Sequence, residues 1–226
     1  MKLKTIKRLN LKNKRVILRV NFDLPIKNKK ILDDSRIISH LPTIFYLVKK
    51  KAKLILISHL DDPVSFDKNY SLKIVADYLN KKFKNLKLKF IKGLIEDEVK
   101  KEIEKMKAGE ILLLENLRFY KGEKENDKEF AKKLAELGDI YINDAFPVSH
   151  RAHASVSKIT KYLPSYAGFL LEKEVKNLNK FLKNPKHPFI VILGGAKIST
   201  KLPVIKNLLK IADKILVGGG LANTFF

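Results

Sequence analysis

Short apolar runs alternate with longer amphipathic segments along most of this chain. The apolar runs have almost no polar interruptions, which is typical of strands buried on both faces of a parallel sheet. We predict such strands at residues 15–22, 53–58, 86–91, 111–114 and 139–142. The segments between them predict helices at residues 37–48, 71–79, 96–106 and 127–137. This alternation predicts a parallel, doubly wound, Rossmann-like α/β sheet with helices on both faces.

A second, shorter α/β pattern follows. Residues 168–182 predict a long amphipathic helix, and new strands are predicted at residues 189–193 and 215–217. We therefore expect a first domain at residues 1–167, an interdomain helix or hinge at residues 168–186, and an incomplete second domain at residues 187–226.

Polar residues collect where the predicted strands end. Arg118 follows the fourth strand, while Arg19, Asn21 and Asp23 share one face of the first strand. In open α/β sheets this carboxyl edge is where ligands bind. Arg118 is therefore a candidate clamp for an anion.

Arginine is scarce in this sequence, since only six of the 47 Lys and Arg residues are arginine. Its planar fork grips carboxylate or phosphate with two hydrogen bonds, which lysine cannot do. Arg36, Arg118 and Arg151 all lie near predicted strand ends or helix starts. Arg36 would lie in the first turn of a helix, where a cation opposes the helix dipole. A ligand-binding role and a solvated surface position both stay open for it.

The histidines allow two interpretations. His59 follows the second strand, where it either binds a substrate oxygen or closes the edge of the sheet. His150 and His153 flank Arg151, and this cluster suits either a metal or an anion. We assign no metal ligands, because no cysteine is present to supply a thiolate.

Two glycine-rich turns follow the last two strands. Gly194 and Gly195 lead through Lys197 and Lys201 into a helix, and Gly218, Gly219 and Gly220 open another. Exposed glycine amides beside lysines at a helix start are typical of phosphate binding. The spacing matches neither a Walker loop nor the dinucleotide-binding motif.

The net charge of +23 is compatible with nucleic-acid binding. The lysines are nevertheless spread over the whole chain, as a compositional bias would produce, and no aromatic RNA-binding motif accompanies them. The apolar runs are too short to cross a bilayer, and the first residues have no signal-peptide core. We expect a cytoplasmic, monomeric protein with no nucleic-acid or membrane partner.

Several longer motifs, taken in order, resemble phosphoglycerate kinase. They include RVNFDLP, DDSRI, LLLENLRFYKGEKEND, NDAF, HRAHAS, ILGGAKIS and GGGLANTF, and they extend over essentially the whole chain. The resemblance implies phosphoryl transfer between 1,3-bisphosphoglycerate and ADP, giving 3-phosphoglycerate and ATP with Mg²⁺. It also implies a triose-binding first domain and a nucleotide-binding second domain that close across a hinge.

The resemblance also implies roles for single residues. Those assigned to the acidic triose are Asn21, Asp23, Arg36, His59, Asp62, Arg118 and Arg151. Those assigned to the nucleotide are Gly194, Gly195, Lys197, Lys201, Gly218, Gly219 and Gly220. Arg36 and Lys197 are expected to stabilise the transition state.

Three departures from the family pattern affect the expected activity. Asn21 precedes Asp23, whereas the family has Asp before Asn in RVDFNVP. Asp62 stands where the family has a substrate arginine in HLGRP. The family's Gly-Gly-Gly-Asp-Thr loop, which positions phosphates and metal, has no counterpart in the sequence. We therefore expect triose binding with little turnover; the alternatives are a non-catalytic triose-binding remnant and a basic nucleic-acid-binding protein.

Overall fold

The computed structural model describes residues 3–183, 185–195 and 201–224. The chain forms two compact units, Met1–Lys173 and Glu174–Phe226. None of the helices in these described ranges is long and apolar enough to span a membrane. The functional domain boundaries drawn from the sequence stay predictions.

The first unit contains eight strands and five complete helices within the described residues. Its strands are β1 (Arg15–Arg19), β2 (Ile26–Lys27), β3 (Lys30–Ile31), β4 (Lys53–Ile57), β5 (Leu88–Phe90), β6 (Ile111–Leu113), β7 (Ile140–Asn143) and β8 (Ser165–Ala167). Its helices are α1 (Ser35–Lys49), α2 (Lys73–Lys82), α3 (Asp97–Lys105), α4 (Lys121–Lys124) and α5 (Lys128–Ala135).

Six of these strands form one parallel sheet, which confirms the predicted fold class. Their order is β5-β6-β4-β1-β7-β8. In the register of this sheet, Arg19 lies opposite both Ile57 of β4 and Asn143 of β7. The three central strands therefore end level with one another. Residues that follow any of these strands are brought to the same edge of the sheet.

Apolar side chains cover both faces of the sheet. On β1, Val16 and Leu18 pack into one buried cluster, whereas Ile17 packs into the other. Helices α1 and α2 cover the first face, and α3 and α5 cover the second. Burial on both faces explains why these strands appear in the sequence as uninterrupted apolar runs.

β1 ends three residues earlier than predicted, because the backbone beyond Arg19 soon leaves the strand ladder. Val20 still donates to the carbonyl of Ile57, at 3.0 Å. The next two amides donate to side chains instead: that of Asn21 to Nε2 of His40 and that of Phe22 to the hydroxyl of Ser58. The end of β1 is thereby fixed to two neighbouring elements.

Two local features differ from the predictions. The short strand β8 was not predicted, and neither was the hairpin formed by β2 and β3. β2 and β3 have two residues each, which are too few to show a period, and β8 lies in a segment without an apolar run.

The second unit has its own parallel strand pair. Helix α6 (Phe169–Lys183) begins in the first unit and ends in the second. Strand β9 (Ile190–Leu193) pairs in parallel with β10 (Lys214–Val217), and α7 (Leu202–Leu208) lies between them in the chain. The apolar runs predicted at residues 189–193 and 215–217 are confirmed as strands.

A buried polar chain joins β1 to the start of α6. Nδ1 of His40 donates to the carboxylate of Asp144 at 2.7 Å, since its Nε2 accepts from the amide of Asn21. The same carboxylate accepts from the amide of Leu170 at 2.9 Å. His40 and Asp144 are both almost completely buried. The buried imidazole of His40 and the buried carboxylate of Asp144 therefore satisfy each other's hydrogen-bonding groups.

We expect Asp144→Ala to lower the free energy of unfolding by about 3 kcal/mol, because it leaves buried His40 and the Leu170 amide without an acceptor. Asp77→Ala is the matched control: it removes a carboxylate from an exposed pair with Lys73 and should cost less than about 0.5 kcal/mol. Urea unfolding followed by circular dichroism measures both. Equal costs would contradict a supporting role for the buried pair.

Candidate functional site

Polar side chains from several loops converge at the carboxyl edge of the sheet in the first unit. Asp23 follows β1, His59 and Asp62 follow β4, and Arg118 follows β6. Arg36 reaches the same place from the first turn of α1. The level ends of the central strands therefore bring together residues that are far apart in sequence.

The carboxylate of Asp23 is the centre of this group. Its Oδ1 accepts from the amide of Asp61 at 2.8 Å. Its Oδ2 lies 3.3 Å from Nη1 of Arg36 and 3.9 Å from Nε2 of His59. The side chain of Asn21 turns back to the chain, where its carbonyl oxygen accepts from the amide of Asp23 at 3.4 Å. Asp23 thus fixes the loop after β4 and orients Arg36.

Buried Arg19 determines the state of His59. Nη2 of Arg19 lies 3.0 Å from Nδ1 of His59, and because arginine only donates, this ring nitrogen accepts. Burial lowers the pKa of His59 to about 2, with Arg19 and Arg118 adding repulsion. The neutral ring therefore carries its proton on Nε2, which lies 3.9 Å from the carboxylate of Asp23. His59 is a hydrogen-bond donor here and carries no charge.

Arg118 is held from two sides while part of its guanidinium is left unbonded. Its Nη1 donates to the carbonyl of Asp61 at 2.6 Å. Its own amide donates to the side chain of buried Asn116, which also bonds the backbone of Leu60. The Nε atom of Arg118 is buried and has no hydrogen-bond partner. A buried donor without a partner is uncommon in a folded protein.

Asp62 lies beside Arg118 and pairs with a lysine. Its Oδ1 is 3.6 Å from Nη1 of Arg118 and 2.9 Å from Nζ of Lys124. The hydrogen bond from Lys124 holds the pKa of the Asp62 carboxyl below its usual range, and Arg118 adds to this effect. Asp62 is therefore an ionised neighbour of the arginines.

Arg151 and His153 complete the basic side of the site. Arg151 is exposed, and its charge contributes to lowering the pKa values of His59 and His153. Burial together with Arg118 and Arg151 lowers the pKa of His153 to about 4. Nδ1 of His153 lies 3.8 Å from the carboxylate of Glu123. His153 is neutral near pH 7, so the arginines supply most of the positive charge.

The glycine-rich turns of the second unit also meet at one edge. Gly194 and Gly195 follow β9, and Gly218, Gly219 and Gly220 follow its parallel neighbour β10. Gly195 has φ of +144° and Gly219 has φ of +64°. A side chain at Gly219 would come within 3.8 Å of the backbone of Gly195.

The two lysines assigned to the nucleotide differ in what is described of them. Lys197 lies outside the described residues. Lys201 precedes α7, and its Cε lies 3.7 Å from the point where a side chain of Gly195 would begin. Within the described ranges, no group of three or more His, Asp or Glu residues has the geometry to hold a metal ion.

The sequence patterns assigned no role to the buried residues that hold the site residues in place. Nε of Arg19 donates to the hydroxyl of Ser155, which in turn donates to buried Glu123. Because arginine is scarce in this sequence, Arg19 could have been singled out as a functional residue. Glu123 and Ser155 are 32 positions apart, and nothing local in the sequence connects them. Lys124 was missed because it is one of many lysines.

Together these features define an α/β protein with a cluster of basic and polar side chains at one sheet edge of its first unit and glycine-rich turns on its second. A family model described as phosphoglycerate kinase matches residues 6–226. A curated phosphoglycerate kinase from Pseudothermotoga lettingae is 53% identical, covering 100% of this chain and 57% of that protein. One from Dictyoglomus turgidum is 50% identical, covering 96% of this chain and 54% of that protein.

Solved structures agree with these matches. The phosphoglycerate kinase of Coxiella burnetii has 41% identity and a TM-score of 0.86, over 99% of this chain and 56% of that one. The enzyme of Pyrococcus horikoshii has 34% identity and a TM-score of 0.89, over 99% of this chain and 57% of that one. The chain belongs to the phosphoglycerate kinase family. It spans slightly more than half the length of the curated relatives that it matches.

The depressed pKa of His59 has a consequence for stability. The pKa is about 2 in the folded chain and about 6.5 for an unperturbed histidine. Between these values the unfolded chain binds more protons, so stability falls as the pH falls. We expect this residue alone to reduce the free energy of unfolding by about 2 kcal/mol between pH 7 and pH 5.

Urea unfolding of the wild type and of His59→Gln at pH 7 and pH 5 measures this effect. The variant lacks the titrating ring, so its stability should change less with pH. The titration of His153 contributes equally to the pH dependence of stability in both proteins, so its effect cancels when they are compared. An identical pH dependence of the two proteins would show that His59 is protonated normally in the folded state.

Proposed function

We propose that this chain comprises the triose-binding domain and part of the nucleotide-binding domain of a phosphoglycerate kinase. The parent activity is phosphoryl transfer between 1,3-bisphosphoglycerate and ADP, giving 3-phosphoglycerate and ATP. Its class is that of phosphotransferases with a carboxyl group as acceptor. The observation that carries the proposal is the set of basic and polar side chains at the carboxyl edge of the first unit.

The triose site consists of the residues assigned from the sequence. Arg118 and Arg151 supply positive charge for the carboxylate and phosphate of the triose. His59 offers a neutral N–H donor, and Asp23, held by Arg36, offers an acceptor for a hydroxyl group. The buried Nε of Arg118 has no protein partner, which supports a ligand acceptor at this position. Asn21 contributes by fixing the backbone of Asp23.

Transfer of a phosphoryl group depends mainly on positioning and on neutralising charge on the equatorial oxygens. Arg36 and Lys197 are the residues that we assign to this task. A carboxylate acceptor is already ionised near neutral pH, so it requires no general base. This explains why neutral His59, with its pKa of about 2, suits a binding role better than a proton-transfer role.

ATP or ADP is assigned to the glycine-rich turns of the second unit. Gly195 and Gly219 suit this role because their backbones approach closely and both have positive φ, and glycine-rich turns of this kind can bind phosphate through backbone amides. Lys201 adds charge beside Gly195. Mg²⁺ bound with the nucleotide would offset phosphate charge. We assign its ligands mainly to the part of the family that this chain does not span.

The remaining assignments come from the sequence. We propose a monomer in the cytoplasm that binds small molecules and has no nucleic-acid or membrane partner. The basic composition supports one competing function, nucleic-acid binding. DNA binding that is tight, salt-sensitive and competitive with 3-phosphoglycerate would favour that alternative.

We expect 3-phosphoglycerate to bind the 226-residue chain and to shift the NMR signals of the His59 ring. The same chain should show little or no turnover in a coupled ATP assay, since it spans 57% of its relative. Robust turnover would rule out a binding-only remnant. Absence of any 3-phosphoglycerate binding would overturn the proposed function.

Arg118→Lys tests the central assignment. It keeps the charge but loses the planar fork, so we expect 3-phosphoglycerate affinity to fall about tenfold. Isothermal titration calorimetry measures the affinity, and Arg8→Lys at an exposed position is the matched control. If Arg118→Lys and Arg8→Lys bind 3-phosphoglycerate equally well, Arg118 does not contact the triose.

A further inference from the structure

The pair formed by Asp62 and Lys124 is held in place from both sides. On one side, the amide of Asp61 donates to Asp23 and its carbonyl accepts from Arg118, so the residue before Asp62 is fixed. On the other side, Glu123, which precedes Lys124, is fully buried. Fixed neighbours on both segments of the chain distinguish this pair from a chance contact between surface side chains.

The buried neighbour of Lys124 has a well-defined set of partners. The carboxylate of Glu123 accepts from the amide of Ser155 at 2.9 Å and from its hydroxyl at 2.6 Å. These bonds anchor the last turn of α4 to the loop that carries Arg151 and His153. Lys124 therefore projects from a fixed backbone position toward the basic side of the site.

We propose that Lys124 raises the affinity of the triose site, because its ammonium group cancels the charge of Asp62 beside Arg118. This inference rests on the proposed function, since it takes the acidic triose to be the ligand at Arg118. Asp62 by itself would repel that ligand and compete for Nη1 of Arg118, from which it is 3.6 Å away. With Lys124 at 2.9 Å from the same oxygen, the pair has no net charge.

The proposal predicts an order of affinities among four proteins. Asp62→Asn leaves an uncancelled positive charge beside the ligand and should bind 3-phosphoglycerate most tightly. The wild type and the double variant Asp62→Asn/Lys124→Gln both have a neutral pair and should bind it within about twofold of each other. Lys124→Gln leaves the carboxylate uncancelled and should bind it about two- to fivefold more weakly than the wild type.

Lys121→Gln is the matched control for charge. It removes a lysine from the same helix, and its partner is Glu125 rather than Asp62. We expect its affinity for 3-phosphoglycerate to equal that of the wild type. The weakening in Lys124→Gln should also shrink as KCl is raised from about 0.05 M to about 0.5 M, because added salt screens partly exposed charges. A purely structural role would give neither salt dependence nor recovery in the double variant.

Isothermal titration calorimetry of the 226-residue chain and its variants measures these affinities. Recovery of affinity in the double variant supports charge cancellation. A double variant as weak as Lys124→Gln, or a Lys124→Gln that binds like Lys121→Gln, overturns the inference while the proposed function stands. Absence of 3-phosphoglycerate binding in every protein overturns both.

A second measurement does not depend on the triose. The Asp62 carboxyl titration, followed by NMR of its side-chain carbon, should move to higher pH in Lys124→Gln and should not move in Lys121→Gln. An unchanged Asp62 titration in Lys124→Gln would show that the pair does not form in solution and would also overturn the inference.

Discussion

The parallel register of the central sheet is the constraint on which the candidate site depends. Arg19 lies opposite Ile57 on one side and Asn143 on the other, so three strands end together. The hydrogen-bond ladder stops there, and backbone groups beyond it must find other partners. Side chains such as His40 and Ser58 satisfy those groups. The same edge therefore holds both the structural polar contacts and the candidate site residues.

Charged side chains offset each other in two sets at this edge, one buried and one more exposed. Behind the site, buried Arg19 bonds Ser155 and His59, and Glu123 lies beside it in the same polar cluster. These contacts keep His59 neutral and fixed. In front, the arginines are partly offset by Asp23 and Asp62. Burial of the first set of charges costs desolvation free energy and fixes the orientation of the side chains, whereas the second set determines the net positive charge at this edge.

This sequence differs from the family pattern at the Asn21 and Asp23 pair and at Asp62. Asp62 stands where the family pattern has an arginine, and the structure pairs it with Lys124 and Arg118. A lysine of α4 thus pairs with a carboxylate that the family pattern does not have at this position. The electrostatic potential at this edge is a sum over all nearby charges. Replacing one charge therefore changes how strongly each neighbouring charge affects the total.

The sequence by itself determined the parallel α/β fold, the positions of the main strands and helices, and the family. These depend on apolar periodicity and on motifs that are local in the chain. It also determined that Arg118, Asp23 and His59 lie at strand ends. Only the tertiary structure decided that buried Arg19 holds His59, that the first strand ends at Arg19, and that Asp62 pairs with Lys124. Such contacts join residues far apart in the chain, and their energies depend on distance and burial, which a local pattern does not encode.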